Sequence, residues 1–87
     1  MEYPKITNVK VLEDFWLEVT FENNVVKQYD CKPLFIKTSF EPLMNINFFK
    51  LAEKSTDPYG VVWNDDIDLA ESEIWINGKE IKLRHVV

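Results

Sequence analysis

The chain has 87 residues, of which 46% are hydrophobic and 14% aromatic, and its formal net charge at pH 7 is −5. We expect residues 1–87 to form a single globular domain, because two domains would each need an apolar core of their own and disordered chains are poor in aromatic residues. The one cysteine excludes an intramolecular disulfide. The first residues lack a signal-peptide pattern, and no apolar run approaches the roughly 18 residues of a membrane-spanning helix. We therefore expect a cytoplasmic protein without a membrane partner.

The negative charge is concentrated in one segment. Residues 57–78 carry six Asp and Glu and no Lys or Arg, whereas residues 1–56 carry eight acidic and seven basic residues. Nucleic-acid affinity depends on clustered Lys and Arg that displace counterions from phosphates. The sequence therefore predicts no nucleic-acid binding.

Alternating apolar residues predict an antiparallel meander at the start of the chain. Residues 5–12 alternate with a period of two, with Thr7, Val9 and Val11 on one face. After the polar turn residues Glu13-Asp14, residues 15–21 alternate in the same way. The apolar face of this second strand holds Phe15, Leu17, Val19 and Phe21, and Trp16 lies on the opposite face.

The second and third predicted strands are joined through Asn23-Asn24, because Asn enters the left-handed backbone region that a tight hairpin requires. Two registers are open. A two-residue turn places Phe21 opposite Val26. A three-residue turn places Phe21 opposite Val25 and brings Tyr29 onto the apolar face.

Prolines interrupt the strand pattern in the middle of the chain. Pro33 ends the third strand and favours one helical turn over residues 34–36, and Glu41-Pro42 is a second interruption. Asn45 or Asn47 then caps a short helix whose Ile46 and Phe49 point the same way. We favour a helix that stops near residue 50, followed by a strand over residues 52–55, over a helix that continues to residue 54.

The last part of the chain begins with a turn over residues 57–60 and a strand over residues 61–63. Asp68 and Glu71 have capping-box spacing and predict a short helix through Trp75 that ends at Asn77-Gly78, a left-handed stop. The alternative is a hairpin about Asn77-Gly78. We favour the helix. The elements together predict an α+β fold, a mainly antiparallel β-sheet with two or three short helices.

An ordered set of positions over residues 4–78 points to one family. The positions are Val9 and Val11, then Leu17, Val19 and Phe21, Tyr29-Asp30 ahead of Pro33-Leu34, Leu43 and Phe49, and Trp63 followed by Asp68-Leu69. With these residues the chain resembles a small bacterial family catalogued as domain of unknown function 2442. The family often has Asp-Gly or Asn-Gly where this chain has Asn23-Asn24. Residues 79–87 lie beyond the pattern, as a C-terminal tail or an extra strand.

The resemblance implies a small α+β domain with no established activity. It also implies that members act as partners in two-gene bacterial modules of toxin-antitoxin type. The residues themselves predict no catalytic residue, cofactor or metal site. A Cys31–His85 dyad has no accompanying nucleophile motif, and a structural zinc ion needs four Cys or His ligands where the chain has two such residues.

The acidic run Asp65, Asp66 and Asp68 has two interpretations. Carboxylate oxygens bind hard cations, but the spacing does not match a calcium loop of EF-hand type. The simpler prediction is that Asp68 caps the following helix and the other two are solvated acids.

The large aromatic residues suggest a protein contact, because Trp and Tyr are enriched at interface hot spots. The predicted interaction surface consists of Trp63, Asp65, Asp66, Asp68, Trp75 and Trp16. We expect a non-enzymatic protein-interaction or regulatory module, antitoxin-like, whose partner is a small, basic protein encoded by a neighbouring gene, or a second copy of the chain in a homodimer. The alternative is a small metal-dependent hydrolase or ligand-binding domain that uses residues 65–68.

Overall fold

The computed structural model describes residues 3–57 and 59–81, which form seven strands in two antiparallel sheets, two α-helices and two 3₁₀ helices. The strands are β1 (Ile6–Val11), β2 (Trp16–Phe21), β3 (Val26–Asp30), β4 (Glu53–Lys54), β5 (Gly60–Asn64), β6 (Ile67–Ala70) and β7 (Lys79–Ile81). The helices are α1 (Ile46–Phe49) and α2 (Glu71–Asn77), with 3₁₀ helices over Lys32–Ile36 and Thr38–Met44. The predicted α+β class is confirmed.

The first sheet has the strand order β1-β2-β3-β7. The predicted apolar face of β2 is confirmed, since Leu17, Val19 and Phe21 are fully buried. A register shift in β1 between Ile6 and Asn8 brings Ile6 into the core, and Thr7 is exposed.

The turn between β1 and β2 lies one residue later than predicted. Asp14 and Phe15 both have positive φ, 58° and 64°, and the Trp16 N–H donates to the Glu13 carbonyl at 3.3 Å. Left-handed backbone is unusual for an aromatic residue. The Phe15 ring offsets this cost by edge-to-face contacts with Phe35 and Phe49, with each pair of ring centroids 5.2 Å apart.

The β2–β3 hairpin uses the three-residue turn. The Phe21 N–H donates to the Val25 carbonyl at 2.9 Å, and Asn24 takes the left-handed conformation with φ 67°. In this register Tyr29 pairs with Leu17 and is buried on the same face. The chain therefore closes the hairpin with Asn where a glycine is common.

The middle of the chain is helical but irregular. Pro33 lies at the start of the first 3₁₀ helix, where its missing N–H costs nothing, and Pro42 lies inside the second. The Asn45 side chain caps α1 by accepting the Asn47 N–H at 3.0 Å. Because α1 ends at Phe49, the shorter predicted helix is confirmed. Phe49 of α1 is buried, whereas the side chain of Ile46 is 39% exposed.

The second sheet has the order β4-β5-β6, and it corrects the prediction for Asp68. Asp68 lies inside strand β6, and α2 begins three residues later with Ala70 as its N-cap and no side-chain cap. The reason is local. The Asn64 side-chain oxygen accepts the N–H groups of Asp66 and Ile67, both at 2.9 Å, and this turn continues the chain as a strand that buries Ile67 and Leu69.

The predicted stop at Asn77-Gly78 is correct in position but not in geometry. Helix α2 ends at Asn77, as favoured over the hairpin, but Gly78 is extended with φ −74°. The glycine is needed for space, because a Cβ there would collide with the Ile74 carbonyl oxygen. The chain then runs directly into β7, which pairs with β3, so residues 79–81 form an extra strand.

One core cluster joins the two sheets, since β1 lies beside β4 and the buried residues of both sheets form a single group. The Trp63 ring lies near the Phe49 ring, with centroids 6.0 Å apart. This arrangement leaves one face of the second sheet pointing outward.

Candidate functional site

The outward face of the second sheet carries a groove with acidic walls. Glu53, Val62 and Asp68 are cross-strand partners on β4, β5 and β6, so they form a row on one face. Adjacent strands lie about 4.8 Å apart, which places the Cα atoms of Glu53 and Asp68 about 10 Å apart. Val62 is half-buried between two buried neighbours and forms the apolar floor.

The two ends of the groove add further carboxylates. Asp57 lies at one end and Asp65 at the other, and the groove has a volume of about 520 Å³. We call this feature the acidic groove, and its nine described lining residues are Glu53, Ser55, Thr56, Asp57, Val62, Trp63, Asn64, Asp65 and Asp68. None of these nine is Lys or Arg.

Asp57 is held in place by its neighbours. Its Oδ1 accepts the Ser55 hydroxyl at 2.6 Å and the Tyr59 N–H at 3.2 Å. These hydrogen bonds, that from Ser55 above all, hold the pKa of the Asp57 carboxyl below its ordinary value, because they stabilise the charged form. This end of the acidic groove therefore keeps its negative charge at neutral pH.

The structure divides the predicted interaction surface. Asp65 and Asp68 line the acidic groove, and Asp66 is exposed on the adjacent turn. Trp63 also borders the groove, but it is only 6% exposed and its indole N–H donates to the Phe49 carbonyl at 3.0 Å. Trp63 is therefore a core residue, and this corrects its predicted place on the surface.

The other two tryptophans do not line the acidic groove. Trp75 of α2 packs edge to face on Phe21 with ring centroids 5.1 Å apart, and the Lys27 ammonium lies 4.9 Å from its ring. Trp16 lies on the outer face of the first sheet, where Lys32 approaches its ring to 5.5 Å. Trp75 thus packs α2 against the first sheet, and Trp16 belongs to a different surface.

Sequence reasoning missed Glu53 and Asp57. Glu53 precedes the turn over residues 57–60 and Asp57 is its first residue, and the predicted strands on either side of this turn indicate that residues near 53 face residues near 62. Since Glu53 lies outside the acidic segment 57–78, charge density along the chain gave no indication of it.

The described residues offer little for nucleophilic or metal chemistry. In residues 3–57 and 59–81, no three His, Cys, Asp or Glu side chains come close enough together to hold a metal ion. Cys31 is fully buried, and burial raises the pKa of its thiol to about 12, so the thiol is protonated at neutral pH. His85, the other member of the candidate dyad, lies outside the described residues.

The fold and the acidic groove define a small α+β domain of two antiparallel sheets with an open, negatively charged face. Residues 6–80 match the family described as Protein of unknown function (DUF2442), and the chain belongs to that family. No curated protein and no solved structure matches the chain. Among the described residues, no helix has the length and apolar character needed to cross a membrane.

Proposed function

We propose that this chain is a non-enzymatic protein-interaction module that binds a basic partner protein through the acidic groove. The observation that carries the proposal is the row formed by Glu53, Val62 and Asp68, in which an apolar floor separates two carboxylates. A partner Lys or Arg fits this row, because its aliphatic stem packs on apolar surface while its charged head reaches a carboxylate.

The charge of the acidic groove predicts how binding depends on the charge of the partner and on the salt concentration. Four carboxylates, those of Glu53, Asp57, Asp65 and Asp68, surround a floor with no described basic residue to neutralise them. Such a surface steers a positively charged partner and suppresses acidic ones. We expect the association rate to fall steeply as salt is added, since the groove is open to solvent.

The biological setting belongs to the same proposal. We place the module in the bacterial cytoplasm as an antitoxin-like or regulatory partner of a small protein encoded by a neighbouring gene. The family resemblance suggests this setting, and the acidic groove supports a basic partner. A homodimer formed by pairing of sheet edges is the related variant.

The test is co-expression of the chain with the product of the neighbouring gene, followed by pull-down and calorimetry. We expect a complex that the double substitution Glu53→Gln and Asp68→Asn weakens about tenfold or more, because each lost charged contact is worth about 1 kcal/mol or more. The control is Asp66→Asn, which removes one carboxylate charge from the adjacent exposed turn. Binding by this control should change less than about twofold.

Three results would overturn the proposal. One is the absence of any complex with the neighbouring product. Another is an Asp66→Asn variant that weakens binding as much as the double substitution does. The third is a response to divalent ions. If calcium, magnesium or manganese shifts the amide signals of Asp65 and Asp68, the metal-dependent alternative is supported instead.

For the homodimer variant, light scattering decides, because a measured mass equal to one chain excludes a homodimer.

A further inference from the structure

A second recess lies where β3 extends past β7 in the first sheet. The last β3–β7 pair is Gln28 with Lys79, so Tyr29 and Asp30 pair with β2 on one side and have no strand on the β7 side. The Cys31 N–H donates at 3.0 Å to the carbonyl of Phe15, the residue just before β2. Backbone groups alternate in direction along an antiparallel strand, so the N–H and C=O of Asp30 point away from β2 and toward the side that β7 leaves open.

This space, which we call the β3 recess, has a volume of about 300 Å³. It is bordered by Trp16, Gln28, Asp30, Glu73, Asn77 and Lys79, and Tyr29 and Pro33 complete its lining. It shares no lining residue with the acidic groove.

Glu73 and Asn77 are fixed by hydrogen bonds and present acceptors to the β3 recess. Glu73 Oε2 accepts the Tyr29 hydroxyl at 2.9 Å and the Asn77 amide N–H at 2.8 Å. Both bonds use the same carboxylate oxygen, so within the described residues Oε1 of Glu73 and the amide oxygen of Asn77 remain as acceptors. The Asp30 carbonyl adds a third.

Trp16 adds an aromatic ring to the lining of the β3 recess. Trp16 is the register partner of Asp30 and is half-buried. Lys32 of the chain itself contacts both residues, since its ammonium lies 5.5 Å from the Trp16 ring and 3.0 Å from Asp30 Oδ1. The environment of Trp16 and Asp30 therefore accepts a positive charge. Lys79 is exposed at the rim and its charge opposes a second cation.

We infer that the β3 recess binds the guanidinium group of an arginine side chain from another protein. A guanidinium has five N–H donors and no acceptor, is planar, and stacks on aromatic rings. These properties match the acceptors on Glu73, Asn77 and Asp30 together with the Trp16 ring. A lysine ammonium lacks the planar shape and the extended fork of donors. The inference does not depend on the proposed function, because the acidic groove is a separate surface.

The experiment is a ¹H–¹⁵N NMR titration of the full chain with N-acetylarginine amide. We expect saturable shifts of the Trp16 indole signal and of the Asn77 and Gln28 side-chain amide signals. The matched probe is N-acetylcitrulline amide, which has nearly the same shape but no charge, and it should leave these signals in place. Equal shifts with both probes would overturn the inference.

Variants locate the binding. Glu73→Gln keeps the Tyr29 hydroxyl bonded to an oxygen but removes the charge, and we expect about tenfold weaker binding of the arginine probe. Asn77→Ala provides a second variant if Glu73→Gln fails to fold. Asp66→Asn is the control and should bind as the unsubstituted chain does. Unchanged binding by the folded recess variants, or shifts confined to Val62 and Asp68, would refute the β3 recess. The second of these results would still agree with the proposed function.

Discussion

The side chain of Asp68 is available to the acidic groove only if Asp68 lies in strand β6 and does not cap a helix. Two substitutions separate these possibilities. The structure places Ala70 at the N-cap of α2 with extended backbone and no side-chain hydrogen bond. Ala70→Ser adds an oxygen that accepts an N–H group in the first turn of α2. Ala70 is exposed, so the serine requires no repacking. We expect Ala70→Ser to stabilise the fold by about 1 kcal/mol, or about 4–8 °C in melting temperature for a domain of this size.

Asp68→Ala is the complementary change. Since Asp68 is an exposed strand residue whose side chain makes no described hydrogen bond, its truncation should change the free energy of unfolding by no more than about 0.5 kcal/mol. As a helix cap, its loss would cost about 1 kcal/mol. Urea unfolding followed by tryptophan fluorescence measures both variants. If Asp68→Ala destabilises by about 1 kcal/mol and Ala70→Ser has no effect, Asp68 is the N-cap of a longer helix and residues 69–70 do not belong to β6.

Three further predictions concern the packing of α2 and β3. Tyr29→Phe removes the hydroxyl bond to Glu73 and should cost about 1–2 kcal/mol in urea unfolding, and unchanged stability would contradict this contact. Gly78→Ala should cost about 1–3 kcal/mol in the same assay, because the new Cβ meets the Ile74 carbonyl. Burial raises the pKa of Cys31 from 9.0 to about 12 and, together with the bond to Glu73, raises that of Tyr29. The folded state therefore keeps protons that the unfolded state loses, so the melting temperature should fall as pH rises above about 9, and less steeply in Cys31→Ala.

The sequence predicts a helix or strand correctly where a single pattern of residues is present. Strict alternation located β2 and its buried face, and Asn45 with the following apolar residues located α1. The β2–β3 register needed tertiary information, since both turn lengths place apolar residues inward and only the burial of Tyr29 separates them. At Asp68 the capping-box spacing competed with the period of two in Ile67 and Leu69, and core burial favoured the strand.

The candidate site was predictable only in part. Asp65 and Asp68 were found because the acidic segment is contiguous in sequence. Glu53 joins them through strand pairing across β5, which charge counting does not include. The enrichment of aromatic residues at interfaces predicts a surface position for Trp63, but its alternation with the half-buried Val62 puts it in the core.

The attachment of β7 to β3 has a consequence for the order of folding. The meander β1–β3 and the strands β4–β6 each pair with neighbours close in sequence, whereas Val26 and Ile81 pair across fifty-five residues. Contacts between distant residues carry a larger loop-closure entropy and form late. The first sheet should therefore gain its fourth strand only after α2 has packed. The edge that borders the β3 recess is then the last part of the sheet to be completed, and the first to open in native-state hydrogen exchange.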